Sequence, residues 1–144
     1  MRERGLALPV AVFALAVIGA MVATAFHAAH LEQRSGRNSI YAAQALAAAE
    51  AGAAIVLAEW EAYPELGVLA AGDSVTLANV AFGDRATFQP VVTRLTDGLY
   101  LIRSQGTSRD AEGNLLAQRV VATLARRAAA GVTPLTQRSW VPVY

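Results

Sequence analysis

The run from Gly5 to Phe26, GLALPVAVFALAVIGAMVATAF, carries no charged side chain and constrains this chain more than any other stretch. About 20 residues at 1.5 Å rise cross the roughly 30 Å hydrocarbon core of a bilayer, so the run is long enough to span one as a helix. An ordinary secretory apolar region is shorter, about 7–15 residues. Only Met1, Arg2, Glu3 and Arg4 precede the run. It implies placement in a membrane and says nothing of chemistry. Arg2 and Arg4 favour a cytoplasmic N-terminus and an outward C-terminus, although Glu3, and Arg34 and Arg37 beyond the run, weaken the asymmetry.

Pro9 lies inside this run. A proline within a helix removes a backbone donor and drives its ring against the carbonyl four residues earlier, here that of Gly5. A chain cut after Gly5 loses that carbonyl. Its helix then begins at Leu6, and Pro9 becomes the fourth residue, where backbone N–H groups have no internal acceptor.

Arg4-Gly5 followed by Leu6-Ala7-Leu8-Pro9 and an apolar helix resembles the type IV prepilin signal, which a prepilin peptidase cuts after the glycine. The likeness extends through His30-Leu31-Glu32-Gln33-Arg34 to Asn38, then Ala45–Ala49 and Glu50-Ala51-Gly52. That stretch resembles the N-terminal region of PilX-type minor pilins and pseudopilins, with Glu32, Asn38 and Glu50 as the family-like positions. It covers about residues 4–56. The resemblance implies a pilus or secretion-filament subunit that is cleaved before Leu6, N-methylated by the same peptidase and packed against other pilin subunits through its N-terminal helix. Pilins usually carry Glu as the fifth mature residue; here that position is Val10. The glutamate is thought to meet a neighbouring subunit's terminal amine, a pair that Val10 cannot make.

The remaining composition bounds the soluble part. Of 144 residues, about 115 follow the membrane segment, enough for one small domain. A formal net charge of +1 gives no bias toward nucleic acid or acidic substrates. With no cysteine there is no disulfide and no thiol chemistry, so an exported domain relies on packing.

The helical pattern continues past Phe26, since His27 to Trp60 is rich in Ala, Leu, Gln and Glu and meets no proline before Pro64. The expected layout is a leader at 1–5, a transmembrane helix at 6–28 bordered by inner-membrane lipid, the aqueous half of the same helix at 29–62, a sheet region at 63–127 and a tail at 128–144. Ser35-Gly36 is the expected weak point. Ile40, Ala43, Ala47, Ala51, Ala54 and Leu57 or Ala58 fall at helical spacing; this small-residue stripe is expected against the chain's own sheet, with neighbouring subunits as the other reading. Within the membrane segment, Gly19 with Ala16, Ala20 and Ala23 suits helix–helix contact.

After a loop over Tyr63–Gly72 the period changes to two. Val75–Leu77, Arg85–Leu95, Leu99–Gln105 and Leu115–Ala125 read as strands, separated by Gly83-Asp84, Thr96-Asp97-Gly98 and Arg109–Asn114 as turns. Pro90 implies an edge or a bulge. On the last strand Leu116, Val120, Ala122 and Leu124 form the apolar face, expected against the helix. The fold class that follows is α+β, a long N-terminal helix on a small antiparallel sheet, which is also the pilin architecture. The tail reads as irregular, with Trp140, Val141, Val143 and Tyr144 able to dock.

No catalytic, cofactor or metal constellation emerges. His27 and His30 sit at the membrane border without further ligands. Ser74 lacks a nucleophile elbow and a nearby histidine. Asp110, Glu112 and Asn114 read as a solvated turn rather than a cation loop. Glu59, Glu61 and Glu65 read as surface. Glu50 has two readings: an exposed helix residue, or an ion pair with Arg103 or Arg119 that fixes the helix register. The chain is therefore expected to be a structural subunit, not an enzyme, held in the inner membrane with a periplasmic C-terminal domain. The residues also admit a small secreted binding domain whose signal peptide is cut after Ala25 at Ala23-Thr24-Ala25, and a permanently anchored enzyme or sensor domain.

Overall fold

The computed structural model describes residues 7–129, 131–135 and 141–143. The leader, Gly5, Leu6, Trp140 and Tyr144 lie outside the described residues. The fold is α+β: one long N-terminal helix, α1 (Ala7–Ala58), and an antiparallel sheet on which it packs. The chain divides into two units, residues 1–37 and 38–144.

In the first unit every described side chain from Leu8 onward is exposed, including Leu8, Phe13 and Phe26, each at least 71%. By length and composition this helix is long and apolar enough to cross a membrane. The hydroxyl of Thr24 donates to the carbonyl of Ala20 at 2.8 Å. That bond satisfies the hydroxyl proton within the helix itself. The helix continues through Ser35-Gly36 without a break.

In the second unit α1 buries Ala45, Ala48, Ala49, Gly52, Ala53 and Val56, one face at three- and four-residue spacing. This is not the stripe expected from the sequence. Ile40, Ala43, Ala47, Ala54 and Ala58 are exposed, and Ala51 and Leu57 lie at the border. Both faces of this segment are alanine-rich, so spacing alone did not distinguish them. The phase is set by Gly52, Val56 and Trp60, which follow one another every four residues into the core.

Two short 3-10 turns, Trp60–Ala62 and Pro64–Gly67, end the helical region. The sheet comprises β1 (Ser74–Thr76), β2 (Val80–Phe82), β3 (Ala86–Thr96), β4 (Leu99–Arg109), β5 (Leu115–Ala128), β6 (Gly131–Pro134) and β7 (Val141–Val143). β3, β4 and β5 form its centre, with β1 and β2 both paired to β3 and β6 and β7 both paired to β5. The tail is thus not irregular throughout, because β6 and β7 extend the sheet. Their short stretches, three and four residues, carry too little alternation to read as strands.

Pro90 occupies a central strand, neither an edge nor a bulge. Its outer side faces the break between β1 and β2, where its carbonyl accepts from the Leu77 N–H at 2.9 Å. The neighbouring strand is interrupted where the proline has no donor to offer. The β3–β4 turn uses Gly98 at φ 69°, and the register shifts between Arg94 and Thr96 to accommodate it.

The helix-facing side of the sheet is Phe88 and Val92 of β3, Tyr100, Ile102, Ser104 and Gly106 of β4, and Val121, Thr123 and Ala125 of β5. The β5 face is the opposite of the expected one. Val120 and Leu124 are only half-buried and lie on the outer side with Ala122. The reason is close approach: a helix presenting alanine and glycine lies so near the sheet that small residues and hydroxyls, not leucines, fit beneath it. A Cβ on Gly106 would meet the Ala45 carbonyl oxygen and the Ala49 backbone nitrogen, and one on Gly52 would meet the Ser104 hydroxyl and the Phe88 ring.

Candidate functional site

The helix-to-sheet contact has two parts. At the C-terminal end of α1, Val56 and Trp60 join Leu66, Leu77, Val92, Tyr100 and Ile102 in the main core, with Trp60 edge-on to Tyr100 at a centroid distance of 4.8 Å. Toward its N-terminal side the helix contributes small groups: Ala45, Ala48, Ala49 and Gly52 lie above Ser104, Gly106 and Ser108, with Phe88 and Ala86 beside Ala48. Among the described residues one polar tie crosses there, from the Ser108 hydroxyl to Gln44 Oε1 at 3.1 Å.

Glu50 does not provide the register. It is exposed, and the two ion pairs among the described residues are Arg94–Asp97 at 2.5 Å and Arg127–Glu61 at 3.8 Å. The carboxylate instead borders Ala47, Ala51 and Ala54 on the face of α1 turned away from the sheet. Glu32, Asn38 and Val10 are likewise exposed along α1. The structure therefore does not bring the family-like residues together; each lies on the exposed surface of the helix, Glu50 beside a shallow concavity with Ala47, Ala51 and Ala54.

The remaining candidates hold the fold. Ser74 shares a 2.8 Å hydrogen bond with Thr93 across β1 and β3. Asp110 accepts from the Asn114 backbone N–H at 2.7 Å and its side-chain amide at 2.9 Å, while Arg109 donates to the Gly113 carbonyl. The Asn114 amide, ahead of further backbone donors, holds the Asp110 carboxyl below its ordinary range. Its oxygens are thus engaged in closing the turn. Glu59 and Glu65 are exposed, as are His27 and His30. Among the described residues no group of three His, Asp or Glu side chains converges as a metal site would require.

Sequence reasoning missed Arg94. It donates to the Leu69 carbonyl at 2.6 Å and to Asp97, and so ties the loop after the helix to the end of β3. It also missed Gly52 and Gly106 as the points of closest approach. The signal for Gly52 was present in its spacing to Val56 and Trp60, but nothing local marks Gly106 as its counterpart.

What this arrangement can do is present surfaces: an apolar helix face in the first unit, and in the second a helix face of alanines around Glu50 and the outer side of the sheet. No family model, curated protein or solved structure matches the chain.

Proposed function

We propose that the chain is a minor pilin or pseudopilin, a structural subunit stored in the inner membrane and incorporated into a filament after a prepilin peptidase cuts between Gly5 and Leu6. The observation that carries this reading is α1 itself. One helix supplies an exposed apolar segment long enough to cross a membrane and, among the described residues, the α-helical cover of an antiparallel sheet. A domain whose core depends on the continuation of its own anchor is suited to being carried by that anchor into an assembly. The alanine face around Glu50, turned away from the sheet, supports the same reading, because small side chains let another backbone approach closely.

The cleavage prediction rests on Arg4-Gly5 and Pro9, and the test is N-terminal mass spectrometry of the protein from membranes or sheared filaments. The expected mature terminus is Leu6. A terminus at Phe26 sinks the reading, since it removes the membrane segment altogether.

Val10 refines the assignment. An acid in lipid costs on the order of 2.5–3.5 kcal/mol on insertion scales, so a subunit that keeps one gains an ionic partner in return. With valine this subunit forgoes one such contact and fits a low-copy position, at a filament tip or in an initiating complex. Quantitative proteomics of purified filaments tests this. Abundance near that of the major subunit overturns the tip position and leaves the cleavage prediction standing.

A further inference from the structure

The three central strands of the sheet, β3 to β5, contain six arginines and no aspartate or glutamate. Their two faces use these arginines differently. On the helix side, Arg94 donates to the Leu69 carbonyl and Asp97, Arg119 to the Gln118 carbonyl, and Arg127 lies 3.8 Å from Glu61. On the outer side stand Arg103, opposite Val91 and Ala122, and Arg126, opposite Leu99, while Arg109 at the end of β4 donates to the Gly113 carbonyl. Arg103 and Arg126 are both exposed, and among the described residues neither side chain has a hydrogen bond or an ion pair.

Between these two cations lies an uncharged strip. Leu101 and Leu124 face each other across β4 and β5, and Gln105 and Val120 continue the face beyond Arg103. Arg103 lies four residues along β4 from Leu99, the residue opposite Arg126, so the two guanidinium groups are rooted about 13 Å apart along the strands at roughly 3.3 Å per residue. Neutral amides, hydroxyls and aliphatic groups cost little to desolvate compared with a mixed-charge surface, and arginine is enriched among residues that anchor interfaces.

We propose that this outer face docks a different protein, one that presents two carboxylates flanking an apolar strip. The inference does not depend on the filament reading. Charge complementarity selects the occupant: cations without a partner among the described residues, on either side of the Leu101–Leu124 pair, call for anions at a matching distance, and the apolar pair between them calls for apolar contact. A second copy of this chain packed face to face would place four guanidinium groups together. A nucleic acid would leave Leu101 and Leu124 without a counterpart, and among the described residues the central strands offer it three arginines on this side, Arg109 included, too few for phosphate-dominated binding.

The test is site-specific photocrosslinking in the native membrane, with the full chain carrying a photoreactive residue in place of Gln105. The expected result is a crosslink to one protein, mapped beside a carboxylate. Arg103→Glu should lower its yield about tenfold, as loss of an interface anchor does, while Arg103→Lys retains part of it. Reversing the mapped carboxylate to arginine should restore the crosslink to Arg103→Glu. Circular dichroism of Arg103→Glu should match the parent, since the residue is exposed. A crosslink that ignores Arg103→Glu, one confined to lipid, nucleic acid or a second copy, or none at all, overturns the proposal.

Discussion

The two halves of the helix–sheet contact bury α1 by opposite means. Around Trp60 the contact is deep and made of large side chains, with Leu66, Val92, Tyr100 and Ile102 filling the space. Around Gly52 and Gly106 it is shallow, and the helix backbone itself meets the strand. The first half derives its stability from apolar area. The second bears on position, because a surface of glycine and alanine tolerates only one depth of approach. The difference teaches that burial of a helix face does not require a greasy face beneath it, which is why the Leu116–Leu124 side of β5 turns outward.

The comparison breaks most clearly at Trp60. Trp60→Ala should cost about 3–5 kcal/mol, the range for large-to-small changes in cores, read as a shift of the urea midpoint in circular dichroism of the full chain in detergent. An unchanged midpoint would mean that the small-residue half alone holds the helix.

Gly106→Val tests that half. The added atoms meet backbone rather than a flexible side chain, so the loss should be about 3 kcal/mol or somewhat more. If Gly106→Val melts like the parent, the close approach is not a constraint.

Arg94→Ala sharpens the contrast by acting outside both halves. It removes the bonds to Leu69 and Asp97 and should cost about 1–2 kcal/mol, with hydrogen exchange accelerating over Tyr63–Asp73 and not over Ala45–Ala53.

Ser104→Ala should go the other way. Its hydroxyl is fully buried and has no partner among the described residues, so removing it should leave stability unchanged or raise it by up to about 1 kcal/mol. A clear loss in thermal denaturation would show that the hydroxyl is bonded.

The smallest effect belongs to the β4–β5 turn. The Asp110 carboxyl is held below its ordinary value of 3.8, so its contribution is complete above that value and is lost as pH falls through the lower, folded one. Slowed exchange of the Asn114 amide, corrected for intrinsic pH dependence, should therefore disappear in strong acid, and Asp110→Ala should lack this slowing at every pH. Persistent slowing in Asp110→Ala would assign it to the backbone alone.

Much of the architecture was legible in the residues. An uncharged run from Gly5 to Phe26, a proline-free stretch to Trp60 and a change of period after Gly72 are local properties of the chain, and local properties specify helix and strand. Asp97-Gly98 marked its turn for the same reason. Pro90 signals a missing donor, but neither the edge nor the bulge that this suggests is present; the accommodation lies in the break between Thr76 and Val80. The candidate site was less legible. Glu50 stood out because it interrupts alanines, yet the Gln44–Ser108 bond makes the polar tie, and the two partners are far apart in sequence.

The sequence by itself determined the long helix, its apolar half, the three main strands and their antiparallel class, because each follows from hydrophobic period, turn chemistry and the absence of breakers. Only the tertiary structure decided which alanine face meets the sheet, which side of β5 turns inward, and that β6 and β7 join its edge. Those outcomes depend on pairs such as Gly106 with Ala45 and Ala49, or Val121 with Ser104 and Pro142. A steric fit between distant segments has no local signature, since neither partner alone carries the distance that the two must share.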